Sequence, residues 1–147
     1  MFLFIVSAAF HIPSPLQKLQ DPLFDAAGVE VYIKRDDLID TEISGNKWRK
    51  LKYDLEKFRQ MRYDGLLTFG GGYSNHIAAT AAAGRMFGIP TIGIIRGDEL
   101  NASSNETLKK AAADGMKLEF VSRGIYAQRY ERIYHEELRV KYGNILI

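Results

Sequence analysis

The stretch GLLTFGGGYSNHIAATAAAGRMFGIPTIGIIR, Gly65–Arg96, decides the fold. It opens on a short apolar run of the kind a buried strand needs. The glycines Gly70, Gly71 and Gly72 end that run. Ser74 and Asn75 then stand where a helix N-cap belongs, because their side-chain oxygens accept from unpaired first-turn amides. An alanine-rich helix follows to Phe87 and stops at Gly88-Ile-Pro90, and Thr91–Arg96 is again strand-like. Strand, helix, strand at this spacing predicts two parallel neighbours joined by a crossover helix.

The alternation extends outward. From Asn46 to about Arg62, Trp48, Leu51, Leu55, Phe58 and Met61 or Arg62 recur at three- and four-residue steps, an amphipathic helix with a basic opposite face. Ser103-x-x-Glu106 has capping-box spacing and predicts a helix to about Asp114, closed by Gly115. Lys117–Val121 reads as a strand, Tyr126–Lys141 as a helix and Asn144–Ile147 as the start of another strand. The expected class is α/β, a parallel sheet with flanking helices. Three of the four prolines fall before Gly28, so that segment reads as an irregular arm. Val29–Arg35 is strand-like but lies across a turn, Asp36–Asp40, from the alternating region. Residues 1–43 are therefore expected to belong to a large domain and residues 44–147 to form the small α/β domain. The chain stops inside the apolar Ile145-Leu-Ile147, which we read as an absent carboxy-terminal remainder.

Composition narrows the function. Twenty basic against eighteen acidic side chains give a formal charge of +2, with no basic run that argues for nucleic acid. The absence of cysteine removes disulfides, thiolate nucleophiles and cysteine metal sites. His11, His76 and His135 are widely spaced and form no ligand pair, so no metal is expected. The apolar opening, Met1 to His11, lacks the charged start of a signal peptide and is too short to span a bilayer. It reads as a strand or packed arm of a cytoplasmic protein. Asn101-Ala-Ser and Asn105-Glu-Thr then match the glycosylation pattern by chance.

Two constellations carry chemistry. Lys47 sits at a helix start among Arg49, Lys50 and Lys52. A lysine attacks a carbonyl only as the free amine, and a helix N-terminus with neighbouring cations favours that form. The same residues equally describe a solvated basic helix face. The second is Gly70-Gly-Gly-Tyr-Ser-Asn-His76, a glycine turn feeding a helix N-terminus, which suits a carboxylate or phosphate. It is neither a dinucleotide fingerprint, since position 75 is Asn rather than Gly, nor a P-loop. A glycine turn with a routine cap is the plain alternative.

Taken in order, Tyr32-Ile-Lys-Arg-Asp-Asp-Leu38, Gly45-Asn-Lys-x-Arg-Lys-Leu51 and Gly71-Gly-x-x-Ser-Asn-His76 resemble the 1-aminocyclopropane-1-carboxylate deaminase/D-cysteine desulfhydrase family. These are fold-type II pyridoxal-phosphate enzymes, and the resemblance runs from about Pro13 to the end. It implies a tryptophan-synthase-β-like small domain with pyridoxal 5'-phosphate as cofactor. Lys47 is similar to the lysine that binds the cofactor covalently and moves the Cα proton. Asn75 resembles the residue bonded to the cofactor's ring oxygen, and Lys50 a basic residue near its phosphate. Ser74, Asn75 and His76 resemble the turn that takes the substrate carboxylate, with Ser74 also assisting proton transfer. The implied reaction deaminates a small amino acid, 1-aminocyclopropane-1-carboxylate or one like D-cysteine, through elimination and hydrolysis to ammonia and a 2-oxo acid. The implied assembly is a homodimer, with no nucleic-acid or membrane partner.

Tyr73 stands where the family usually has Gln, and Ala78 where it is commonly basic. In the family the phosphate-gripping loop lies further along than Ile147, so residues 1–147 alone are expected to bind cofactor poorly. A non-catalytic α/β fragment or pseudoenzyme module is the alternative function.

Overall fold

The computed structural model describes residues 10–147; the expectation for the opening apolar segment lies outside them up to residue 9. Two compact units result, the first ending at Arg49 and the second running Lys50–Ile147.

In the first unit, β1 (Leu16–Leu19) pairs antiparallel with β2 (Val31–Lys34), Leu16 opposite Lys34 and Leu19 opposite Val31. Between them lies the short helix α1 (Pro22–Ala26), started by Asp21, whose carboxylate accepts from Leu23 N, with Pro22 preset for a first helical turn. The arm expected to be irregular thus holds, among the described residues, one short strand and one short helix, with irregular chain around them. Its prolines flank β1 or open α1, positions where a missing N–H costs nothing. A single 3-10 turn, Asp36–Leu38, then leads to α2 (Asn46–Met61).

The second unit is a parallel sheet of β3 (Gly65–Gly71), β4 (Thr91–Arg96), β5 (Lys117–Val121) and β6 (Ile145–Leu146), in spatial order β5-β4-β3-β6. β3 continues through Gly70 and Gly71, which pair with Ile95 and Arg96, so the glycine run extends the strand before turning. One face carries α3 (Asn75–Phe87) and α4 (Glu106–Ala113), where Ile77, Ala81, Leu108 and Ala111 pack with Ile95 and Met116. The other carries α5 (Arg123–Ala127) and α6 (Arg132–Tyr142), where Tyr134 and Leu138 pack with Leu67, Ile92, Ile94, Val121 and Ile145. The chain steps outward from β3 to β5 with helices on one face. It then returns over the opposite face to β6 on β3's free side, as a consistent crossover hand requires. Central β4 is buried along all but its last residue, which fits its near-continuous apolar run.

Helix α3 is alanine-rich because it must lie close to the sheet. Ile77 and every residue from Ala79 to Gly84 are buried, and the one hydroxyl among them, on Thr80, donates to the His76 carbonyl at 2.8 Å. Gly88, at φ +65°, closes the helix in the left-handed conformation that glycine adopts without penalty.

Two sequence expectations fail here. Ser103 does not cap α4: its amide is taken by Asn101 Oδ1 and the Asn101 amide by Ser104 Oγ, both at 2.8 Å. That local turn delays the helix to Glu106, and Asn105 caps it by accepting from Leu108 N at 3.0 Å. Asn105→Ala is expected to cost about 1 kcal/mol in urea unfolding, and Ser103→Ala nothing measurable. Nor is Tyr126–Lys141 one helix. Ser122 caps an earlier start at Arg123, and the chain turns at Gln128–Glu131 before α6. The Arg129 carbonyl, which a continuous helix would spend on an amide four residues on, instead meets His135 Nε2 at 2.7 Å.

Candidate active site

The second unit builds its site at the carboxyl end of β3. The chain leaves β3 toward β4 on one side, while β6 arrives on the other, so the sheet's order switches there. In open α/β sheets the crevice outside the strands' carboxyl ends at such a switch is where ligands bind. Gly70–His76 occupies that place.

Close packing shapes the turn. A Cβ on Gly70 would lie 2.4 Å from Ile77 Cγ1 and 2.9 Å from Ser74 Oγ, so only glycine lets α3 start this near the strand. The Ser74 amide bonds the Gly71 carbonyl at 3.0 Å. Ser74 is the N-cap: its Oγ accepts from Ile77 N at 3.3 Å, and its carbonyl accepts from Ala78 N at 3.2 Å. A hydroxyl has one proton and two lone pairs, so capping leaves the Ser74 O–H able to donate outward. Asn75 is the first helical residue and its side chain is exposed, while His76 is half-buried. The amide of Asn75 has no intrahelical acceptor, as geometry dictates for a first turn, and the helix dipole places partial positive charge beside it. The turn sets three consecutive polar side chains, Ser74, Asn75 and His76, at the positive end of α3, chemistry that suits a carboxylate or phosphate.

Lys47 belongs to the first unit. Its neighbours are fastened on either side. Trp48 is buried and stacks on Phe10, ring centroids 4.1 Å apart. Arg49 holds Asp36 through two bonds, Nε to Oδ2 at 3.0 Å and Nη2 to Oδ1 at 2.8 Å. Ser14 adds a third bond to that carboxylate, at 2.5 Å, and the Asp36 carbonyl takes the Gly45 amide at 2.8 Å. The half-buried Lys47 therefore has a fixed backbone, and its Nζ has no hydrogen-bond or ion-pair partner among the described residues. Lys50 follows on the same helix, exposed.

Asp36 is the residue that sequence reasoning missed. It stood in a turn and in the Tyr32–Leu38 motif with no role given to it, because its partners lie 13 and 22 residues away and leave no local pattern. The Arg49 hydrogen bonds, and then that of Ser14, hold its carboxyl down from the ordinary 3.8 to about 2. A depressed carboxylate stabilises the fold above its ordinary range and loses that contribution as pH falls through the folded value. Stability is therefore expected to drop as pH is lowered from 3.8 toward about 2, and Asp36→Asn should flatten that part of the curve. Urea unfolding across this range checks it; an unchanged slope in the variant would count against the clamp.

The helix-covered parallel sheet with a glycine turn at its switch point is an α/β architecture, and the structural comparison makes it tryptophan-synthase-β-like, fold-type II. The crystal structure of an ACC deaminase homologue superposes with TM-score 0.68 at 29% identity, over 97% of this chain and 45% of that one. By sequence, a putative 1-aminocyclopropane-1-carboxylate deaminase of Thermotoga maritima is 35% identical over 136 residues, 89% of this chain and 41% of the relative. The mitochondrial bifunctional D-cysteine desulfhydrase/1-aminocyclopropane-1-carboxylate deaminase of Arabidopsis thaliana is 36% identical over 98 residues, 67% and 24% respectively. No protein-family model matches. Along the segment it shares with them, the chain is a homologue of the 1-aminocyclopropane-1-carboxylate deaminases and D-cysteine desulfhydrases. It spans well under half the length of these two curated relatives. No helix among the described residues is long and apolar enough to cross a membrane.

Proposed function

We propose that the protein is a pyridoxal 5'-phosphate-dependent deaminase or lyase acting on a small amino acid, either 1-aminocyclopropane-1-carboxylate or a D-cysteine-like thiol. The observation that carries this is Lys47: an amine without a partner among the described residues, on a backbone pinned by Trp48 and Arg49. The chain carries side chains of the kinds the cofactor needs: Lys47 would supply the covalent bond, exposed Asn75 an amide for the ring oxygen, and Lys50 a cation for the phosphate.

When bound, the cofactor supplies the electron sink that weakens bonds at the substrate Cα. The chain's own residues do the rest. Ser74 donates its free O–H to the substrate carboxylate, and the Asn75 amide with the positive end of α3 completes the cradle. Fixing the carboxylate fixes which Cα bond can break. On a D-cysteine-like substrate Lys47 would hold or return the Cα proton at its Nζ; 1-aminocyclopropane-1-carboxylate carries no Cα proton, and its ring must open first. Loss of sulfide from the thiol substrate, or opening of the cyclopropane ring, followed by hydrolysis, would then give ammonia and a 2-oxo acid. We assign the protein to the cytoplasm as a homodimer.

The test is product analysis on cofactor-loaded protein, with any segment its gene encodes beyond Ile147 included. Supplied with 1-aminocyclopropane-1-carboxylate or D-cysteine, it should release ammonia and a 2-oxo acid, with sulfide as well in the second case. If both amino acids are returned unchanged, the assignment falls.

A further inference from the structure

At the carboxyl end of β4, on the face opposite α3, two arginines share one aromatic ring. The Arg96 guanidinium lies 5.8 Å from the centroid of Tyr126 and the Arg129 guanidinium 5.0 Å from it. Arg129 also lies 4.3 Å from the Tyr130 ring. Two like charges about one ring repel each other, and a ring's quadrupole offsets only part of that. Carboxylates neutralise the neighbouring arginines: Arg123 pairs with Glu99 at 2.6 Å and Arg132 with Glu136 at 3.5 Å. Among the described residues neither Arg96 nor Arg129 has such a partner. Glu99, on the loop that follows Arg96, is already taken by Arg123.

The cluster is held in place. Tyr126 meets Phe69 of β3 edge-on at 6.2 Å, and His135 stacks on the same Phe69 at 6.1 Å. His135 Nε2 bonds the Arg129 carbonyl, and since a carbonyl only accepts, that nitrogen carries the proton. Arg129 Nη1 reaches the Tyr126 carbonyl at 3.4 Å, which leaves most of its five donors unspent. The cluster also adjoins the glycine turn. Arg96 pairs with Gly71 across the sheet, and a Cβ built on Gly71 would lie 3.9 Å from Arg96 Nη2. Gly71 is the residue whose carbonyl holds the Ser74 amide.

We propose that Arg96 and Arg129, set about Tyr126, form a second anion site that takes the carboxylate or phosphate of a small ligand. An oxyanion there removes the repulsion and collects charge-assisted bonds from both guanidinium forks. Two sources share this chemistry: a distal acid group on a substrate whose first carboxylate sits at Ser74, or a free inorganic anion. The first rests on the function proposed above; the site itself stands on the arginines alone.

Backbone-amide NMR on the cofactor-free 147-residue chain tests it, so failure of the cofactor assignment leaves this experiment intact. Inorganic phosphate should shift the amides of Gly71, Arg96 and Tyr126–Arg129. Arg96→Gln and Arg129→Gln should each weaken binding about tenfold, the scale of a lost charged hydrogen bond. Arg85→Gln, at a cation already paired with Asp114, should leave it unchanged. Far-UV circular dichroism confirms that the variants are folded. D-aspartate producing the same shifts, with D-alanine inert, assigns the site to a substrate's distal acid. Phosphate alone producing them assigns it to a separate anion; both outcomes support the site. It is overturned if neither phosphate nor D-aspartate moves these amides, or if their shifts persist at full strength in both glutamine variants.

Discussion

Replacing Lys47 with alanine is expected to lower turnover by about a thousandfold or more, since both covalent attachment and proton transfer would lose their one amine. The visible absorbance of lysine-bound cofactor should vanish with it. The loss should be chemical rather than structural. The Lys47 side chain makes no hydrogen bond or ion pair among the described residues, so unfolding free energy should stay within about 0.5 kcal/mol of the parent. Lys50 offers no substitute: it lies one helical turn further along α2, and its amine does not inherit the position that Trp48 and Arg49 fix for residue 47. Covalently held, coloured cofactor in the Lys47→Ala protein would refute the assignment.

The second large effect is at Gly70. A valine there would drive its Cβ to within 2.4 Å of Ile77 Cγ1, in the first turn of α3, and 2.9 Å of the side chain of Ser74, its N-cap. Neither can yield easily, because Ile77 is buried in the α3–α4 core and Ser74 is bonded to Gly71 and Ile77. The helix start must move off the strand. Gly70→Val is therefore expected to cost about 3 kcal/mol, the upper end for overpacking, and to weaken carboxylate binding by displacing the Ser74 cap. Urea unfolding and the substrate dependence of turnover read the two consequences separately. A variant as stable as the parent would show that α3 does not rest on Gly70.

Much of this was legible beforehand because it is local. The Gly65–Arg96 stretch carries its own strand run, glycine turn, cap and stop, and each lies within a few residues of the backbone group it serves. The Ser74–His76 turn follows directly from that pattern. Strand order was not legible. Alternation shows that β6 is parallel, yet its pairing beside β3 rather than β5 depends on which face α6 buries. The Asp36–Arg49 clamp and the Arg96–Tyr126–Arg129 cluster join residues far apart in the chain, and no spacing rule marks them. Ser103 misled for the opposite reason. Its capping-box spacing was real, but Asn101 and Ser104 had already claimed the local hydrogen bonds.

One amine among the chain's many lysines bears the whole chemical interpretation. Borohydride reduction of the cofactor-loaded protein, followed by peptide mass spectrometry, locates the attachment directly. We predict a single pyridoxyl adduct on Lys47; an adduct on Lys50, Lys52 or any other lysine, with Lys47 unmodified, would contradict the account.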